Sequence, residues 1–187
     1  MFVIGWCGFI QQRHKEHLSA WALPSDLYTY QRQLKALHIT GPVSHLRWLK
    51  AELTTLAMFQ SALKNLTTLP PTLTELQIWG DPSITSLTGL EKLPQLAILD
   101  LSHNSQLTSL AGLGRLPQLT TLKLGSTRIT SLAGLEKLPQ LTTLQLSGTA
   151  ITSLAGLEKL SQLTTLDLRG TGITRVCLQT PFRSLYC

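Results

Sequence analysis

The feature that most constrains this chain is a pattern written seven times. The unit L-x-x-L-x-L begins at Leu34, Leu53, Leu73, Leu96, Leu119, Leu141 and Leu163, at spacings of 19, 20, 23, 23, 22 and 22 residues. Residues 119–140 and 141–162 are almost the same sentence. They differ only at Lys123/Gln145, Gly125/Ser147, Ser126/Gly148, Arg128/Ala150 and Pro139/Ser161. A fixed period of this length is the mark of a solenoid, in which each unit buries its apolar face only by stacking on its neighbours.

The pattern also fixes the local geometry. The last two apolar residues of each unit are two apart, so they point to one face of a strand, and the residue between them points to the other. One strand per unit, stacked in parallel about 4.8 Å from the next, gives a seven-stranded sheet about 29 Å wide. The return path "SLAGLEKL" sets Leu132, Leu135 and Leu138 three apart, on one side of a tight helical or 3₁₀ turn. The fold class is therefore α/β: a curved solenoid with its strands on the concave side and short helical segments behind.

The motif resembles the leucine-rich repeat family over residues 34–177. "LPPTLTELQIWG" (69–80) is similar to the short repeats of secreted effectors from enteric bacteria, and "ITSLAGLEKLPQLTTL" to the 22-residue internalin type. The resemblance implies a bacterial protein that binds other proteins. It also implies an Asn at the ninth position of each unit, bonded to adjacent turns. Here that position holds Pro42, Ser61, Asp81, Asn104, Thr127, Thr149 and Thr171. Thr, Ser and Asp can still satisfy local backbone donors, so a weaker ladder is expected.

Three domains of use follow. Residues 1–33 break the pattern, carry Phe2, Trp6, Phe9, Trp21, Tyr28 and Tyr30, and are read as an amino-terminal cap with a helix near 11–22. Residues 34–177 are the array. Residues 178–187 are a short tail, in which Leu178, Phe182 and Leu185 can fold over the last unit.

Composition narrows the function. The net charge of +6 is dispersed, with six Lys/Arg against three Asp/Glu in 1–52 and eight against five in 91–175. Nucleic-acid binding calls for a concentrated basic stripe, so it is not expected. The apolar start "MFVIGWCGFI" lacks a preceding basic region and is too short to span a bilayer. His14 and His17 have no second ligand pair nearby, and no phosphate loop, nucleophile elbow or His/Asp constellation occurs. No metal, no cofactor and no enzymatic activity is expected. A rank of threonines (Thr55, Thr121, Thr143, Thr165) lacks the second rank an ice-binding face needs, since Ala57, Lys123, Gln145 and Asp167 stand there.

The outward positions three, five and seven of the seven units supply 21 side chains to the concave face, near the 20–30 residues of a standard interface. Four of the five differences between the twin units fall on that face or its exit loop, while the exposed pair Glu136–Lys137 recurs unchanged as Glu158–Lys159. This points to an inner face under selection. The candidate partner-binding residues are Phe59, Glu75, Gln77, Trp79, Asp100, Lys123, Gln145, Asp167 and Arg169. Phe59 and Trp79 form the anchor, and a competing reading has the amino-terminal cap folded over both rings. The expected function is a non-catalytic scaffold, monomeric or weakly self-associating, holding another protein on its concave face. The alternatives are the substrate-recognition part of a larger effector or adaptor, and a decaying duplicated array without a dedicated partner.

Cys7, Cys177 and Cys187 are odd in number and irregularly spaced, which predicts a reducing compartment: the cytoplasm of the bacterium, or of a host cell if the protein is exported. Alkylation of the unfolded chain without reductant should then modify all three thiols, as read by mass spectrometry; a Cys177–Cys187 bridge would overturn the assignment.

Overall fold

The computed structural model describes residues 35–42, 46, 52–63 and 65–173, and the backbone of 184–186. Eight strands lie in one sheet in chain order, all parallel: β1 (Ala36–Thr40), β2 (Thr55–Phe59), β3 (Glu75–Trp79), β4 (Ile98–Asp100), β5 (Thr121–Lys123), β6 (Thr143–Gln145), β7 (Thr165–Asp167) and β8 (Ser184–Tyr186). The register repeats from pair to pair: Leu56, Leu76, Leu99, Leu122, Leu144 and Leu166 stand in one row. The first seven strands are the expected ones. The eighth is new, because Ser184–Tyr186 lies in the stretch read as a tail and continues the sheet beside β7. Its sequence carries the motif only in degenerate form, Phe182-x-x-Leu185-x-Cys187, with two of the three leucines replaced. The expected cap, its helix and all three cysteines lie outside the described residues.

The back of the sheet is closed by 3₁₀ turns at Leu90–Lys92, Leu113–Arg115, Leu135–Lys137 and Leu157–Lys159. Each turn is entered through a glycine with φ near +100°. At Gly89 a side chain is excluded outright, since a Cβ would lie 2.6 Å from the backbone nitrogen of Thr67. Between sheet and turns runs one continuous apolar core. Leu144 of β6, Leu146 just beyond it, Leu135 of the preceding turn and Leu132 and Leu138 on either side of that turn are all buried. Toward the last described turn the packing loosens, and Leu154 is only partly buried.

Where each strand ends, the chain turns away through a left-handed residue at position eight: Gly41, Gln60, Gly80, His103, Ser126, Gly148 and Gly170, with φ between +49° and +88°. The Gly125–Ser126 and Ser147–Gly148 exchange between the twin units therefore moves glycine into and out of a strained position.

The ninth position points inward in every unit from Ser61 to Thr149, and its bonding differs from expectation. Thr127, Thr149 and Thr171 donate their hydroxyls to the carbonyls of Leu124, Leu146 and Leu168, each at 2.7 Å. They thus satisfy acceptors in their own turn, and Thr171 Oγ1 also accepts from the Ile173 amide at 3.4 Å. Asn104 links units, as its amide donates to Ile78 O and Leu101 O while its Oδ1 accepts from the Asp81 amide at 2.8 Å. Asp81 gathers four donors: the Ser61 and Ser83 hydroxyls and the amides of Ser83 and Leu63. Burial alone would raise its pKa, but these hydrogen bonds outweigh it and hold the carboxyl below its ordinary value of 3.8.

Two stability measurements follow. In chemical denaturation, Leu144→Ala should cost about 2–5 kcal/mol, while Gln145→Ala should cost less than about 0.5 kcal/mol; equal losses would contradict the register. Asp81→Asn turns an amide N–H₂ toward groups that are themselves donors, and should cost about 1–3 kcal/mol at neutral pH. Because the folded pKa is depressed, this stabilisation is present above the unfolded value of 3.8 and is lost as the pH falls through the folded one. Urea midpoints taken from pH 7 to pH 3 should therefore converge for wild type and Asp81→Asn; a constant gap would refute the carboxylate's role.

Candidate functional site

The face of the sheet opposite the 3₁₀ turns carries all nine candidate residues, and register sets them in rows. Position seven begins Thr40, Phe59, Trp79, with Thr40 registered on Phe59 and Phe59 on Trp79. The backbone rungs confirm the row: the Gly41 amide donates to Phe59 O, and the Gln60 amide to Trp79 O, both at 3.1 Å. It continues through Ser102, Gly125 and Ser147 to Arg169, by amide bonds from Gly80, His103, Ser126 and Gly148.

Phe59 and Trp79 are 44% and 40% exposed, and are the exposed large hydrophobics among the described residues. They stand on adjacent strands, so their backbones are about 4.8 Å apart. The Phe59 ring leans over Gly80, where an added Cβ would meet its Cε2 at 3.4 Å. Beside them, Gln77 donates its amide to Glu75 Oε1 at 2.5 Å, and both side chains are half-buried. The polar neighbours of the aromatic pair therefore satisfy one another. The row then drops to small side chains: Ser102 and Ser147 are half-buried and Gly125 is buried.

Not all nine residues are presented alike. Asp100 and Asp167 were expected to face a partner, yet both are buried. Asp100 accepts from the Ser102 amide and lies 3.7 Å from the Lys123 ammonium. Asp167 accepts two bonds from the Arg169 guanidinium, at 2.9 and 2.7 Å, and one from the Arg169 amide. The guanidinium is the main reason its carboxyl sits below the ordinary value, against the opposing effect of burial. These pairs neutralise Asp100 and Asp167, whereas Glu75 accepts from the neutral Gln77 amide and keeps its charge. Gln145 and Lys123 are half-buried and Arg169 is exposed. The Asp100–Lys123 contact joins equivalent positions one 23-residue unit apart, so the repeat spacing itself held the signal.

The constancy of the Glu136–Lys137 pair has a structural cause. Glu136 Oε2 accepts the Gly134 amide at 2.6 Å, and Glu91 and Glu158 do the same for Gly89 and Gly156, both at 2.7 Å. The glutamate thus closes its own turn and is not free to drift. In the Leu113–Arg115 turn Gly114 replaces it, and the Lys137 stem crosses that space.

Among the described residues no His, Cys, Asp and Glu cluster could hold a metal ion, and no helix is long and apolar enough to cross a membrane.

Residues 117–159 and 139–180 match the family model for leucine-rich repeats in pairs. No curated protein matches the chain by sequence. Among solved structures, internalin C2 from Listeria monocytogenes is 20% identical with a TM-score of 0.58, over 85% of this chain and 81% of that one. The functional domain of InlJ from the same species is 24% identical, with a TM-score of 0.60 over 79% and 33% of the two chains. Mouse RP105, solved in complex with MD-1, is 23% identical with a TM-score of 0.62, over 81% and 29%. The chain thus spans a third or less of the InlJ and RP105 structures. At these identities the likeness is one of fold.

Proposed function

Starting from a leucine-rich repeat solenoid with an aromatic pair on its strand face, we propose that the protein is a non-catalytic scaffold that binds another protein there. The observation that carries this reading is the exposure of Phe59 and Trp79, in register, on a sheet whose other described outward positions hold small, polar or internally paired side chains apart from the half-buried Ile98. An indole and a phenyl ring held side by side by a rigid sheet lose little entropy on binding, and aromatic anchors of this kind dominate interface energetics. Glu75, Gln77 and Gln145 form the polar surroundings; Lys123 and Arg169 present the outer ends of ion pairs whose acidic members are buried. The fold neighbours include one solved with a protein partner, the RP105/MD-1 complex, and that precedent supports a binding role for this architecture.

A second reading takes the array as the recognition part of a larger bacterial effector or adaptor, acting in the cytoplasm of the bacterium or of a host cell. It is favoured by the position of Trp79 inside the effector-like unit 69–80. Both readings share the same surface.

Trp79→Ala should weaken partner binding by about 2 kcal/mol or more and leave the melting temperature nearly unchanged. A pull-down with wild type, followed by mass spectrometry and calorimetry on the captured protein, supplies the ligand for that measurement. If Trp79→Ala instead destabilises the fold by about 3–5 kcal/mol, as loss of a core aromatic does, the rings are core and the docking surface is refuted.

A further inference from the structure

The bond between Glu75 and Gln77 decides what the surroundings of the aromatic pair can recognise. A carboxylate only accepts, so Gln77 has to turn its amide N–H₂ toward Glu75 Oε1, where it donates at 2.5 Å. That bond occupies the Gln77 donor group and one carboxylate oxygen. The capacity left for a ligand is weighted to acceptors: the Gln77 carbonyl oxygen and Glu75 Oε2, which no donor reaches among the described residues. The bonded neighbour is neutral, so Glu75 keeps its full negative charge. The ion pairs among the described residues are Lys123–Asp100 and Arg169–Asp167, and neither includes it. The side chain is half-buried, with Ile98 registered beside it on the next strand. An apolar neighbour keeps water away and strengthens the field of such a charge.

The rings have the same preference. The faces of indole and phenyl carry negative partial charge and attract cations, and a guanidinium stacks on them as well. Spacing joins the two parts. Glu75, Gln77 and Trp79 alternate out of β3 on one face, about 6.6 Å from one to the next at about 3.3 Å per residue. The bond to Gln77 draws the carboxylate toward the Trp79 end of the strand. An extended ligand has the same period, so alternate side chains can meet ring and carboxylate in turn. The balance of the whole face agrees. Its charged outward residues are Glu75, Asp100 and Asp167 against Lys123 and Arg169, a net charge of −1 on a chain of +6.

We propose that the segment seated on this surface is basic and arginine-bearing, with a guanidinium stacked on the Phe59–Trp79 rings and a neighbouring basic side chain bound to Glu75. The inference rests on the reading of the aromatic pair as a docking surface and adds the chemistry of its ligand.

The test uses the full chain and a blocked, fluorescein-labelled peptide with two arginines one residue apart, followed by fluorescence anisotropy. A second peptide carries citrulline in their place, which keeps the shape and removes the charge. The arginine peptide should bind about ten-fold tighter, the worth of one hydrogen bond to a charged group. Because the chain is +6, undirected attraction would disfavour that peptide, so its preference reports the local charge. Glu75→Gln should erase the preference with the melting temperature close to unchanged. Trp79→Ala should weaken both peptides. Glu158→Gln, which removes the same charge from the opposite face, should change neither. Equal binding of the two peptides, binding of neither, indifference to Trp79→Ala, a preference that survives Glu75→Gln, or an equal loss in Glu158→Gln overturns the proposal. The captured protein then separates the two ideas. If its binding falls with Trp79→Ala but not with Glu75→Gln, the basic ligand is refuted and the docking surface stands; if it falls with neither, both are refuted.

Discussion

The structure depends on each strand presenting its leucines at the same height as those of its neighbour. Parallel strands about 4.8 Å apart leave little room for a unit that starts early or late, because a one-residue slip would carry every buried leucine to the solvent side. The row from Leu56 to Leu166 is kept across five consecutive pairs although the units vary between 20 and 23 residues. The variation is absorbed outside the strands. The rows of the strand face follow from that constraint, and so does the placement of Phe59 beside Trp79.

Polar chemistry inside the stack divides the solenoid into two regimes. Around Asp81 and Asn104 the ninth position ties units to one another, through the Ser61–Asp81 bond and the Asn104 bonds to Asp81 N and Ile78 O. From Thr127 onward the same position closes only its own turn. Cohesion between the later units then falls to the leucine core, the strand rungs and the threonine hydroxyls that donate to the preceding unit's backbone (Thr120 to Ala97 O, Thr142 to Thr120 O, Thr164 to Thr142 O), while the earlier ones have a buried polar clamp in addition. The aromatic pair sits on the clamped side, and a rigid base suits an anchor.

Much of this was legible in the sequence, and the reason is periodicity. Register, strand positions, the buried rows and the exposed pair at position seven all follow from counting from each leading leucine. What escaped the count was anything that depends on side-chain pairing or on a broken motif. Asp100 and Asp167 alternate outward as strand rules require, yet Lys123 and Arg169 fold over them and remove them from solvent. Glu136 looked like a drifting surface residue because its work is done by a bond to the backbone two residues earlier. Ser184–Tyr186 joined the sheet with Leu185 registered on Leu166, and its degenerate F-x-x-L-x-C, 19 residues after Leu163, lacks two of the leucines a count of L-x-x-L-x-L looks for. The threonines at position nine were foreseen as bonded, but their hydroxyls chose carbonyls because a hydroxyl proton three residues on reaches its own turn.

The near-identity of residues 119–140 and 141–162 has a consequence for evolution and engineering. The two units share every buried leucine and the same pairing to their neighbours, so either face of one fits either face of the other. Removing 119–140 would set β6 against β4 with the leucine row intact, and the Lys123–Asp100 contact would go with it. Inserting a further copy would be equally undemanding of the core. Each such event shifts the Arg169 end relative to the Trp79 end by about one strand spacing, roughly 4.8 Å. The duplicated module is thus a spacer of adjustable length, and the reach of the strand face is a quantity that unequal recombination can tune without redesigning a single interface.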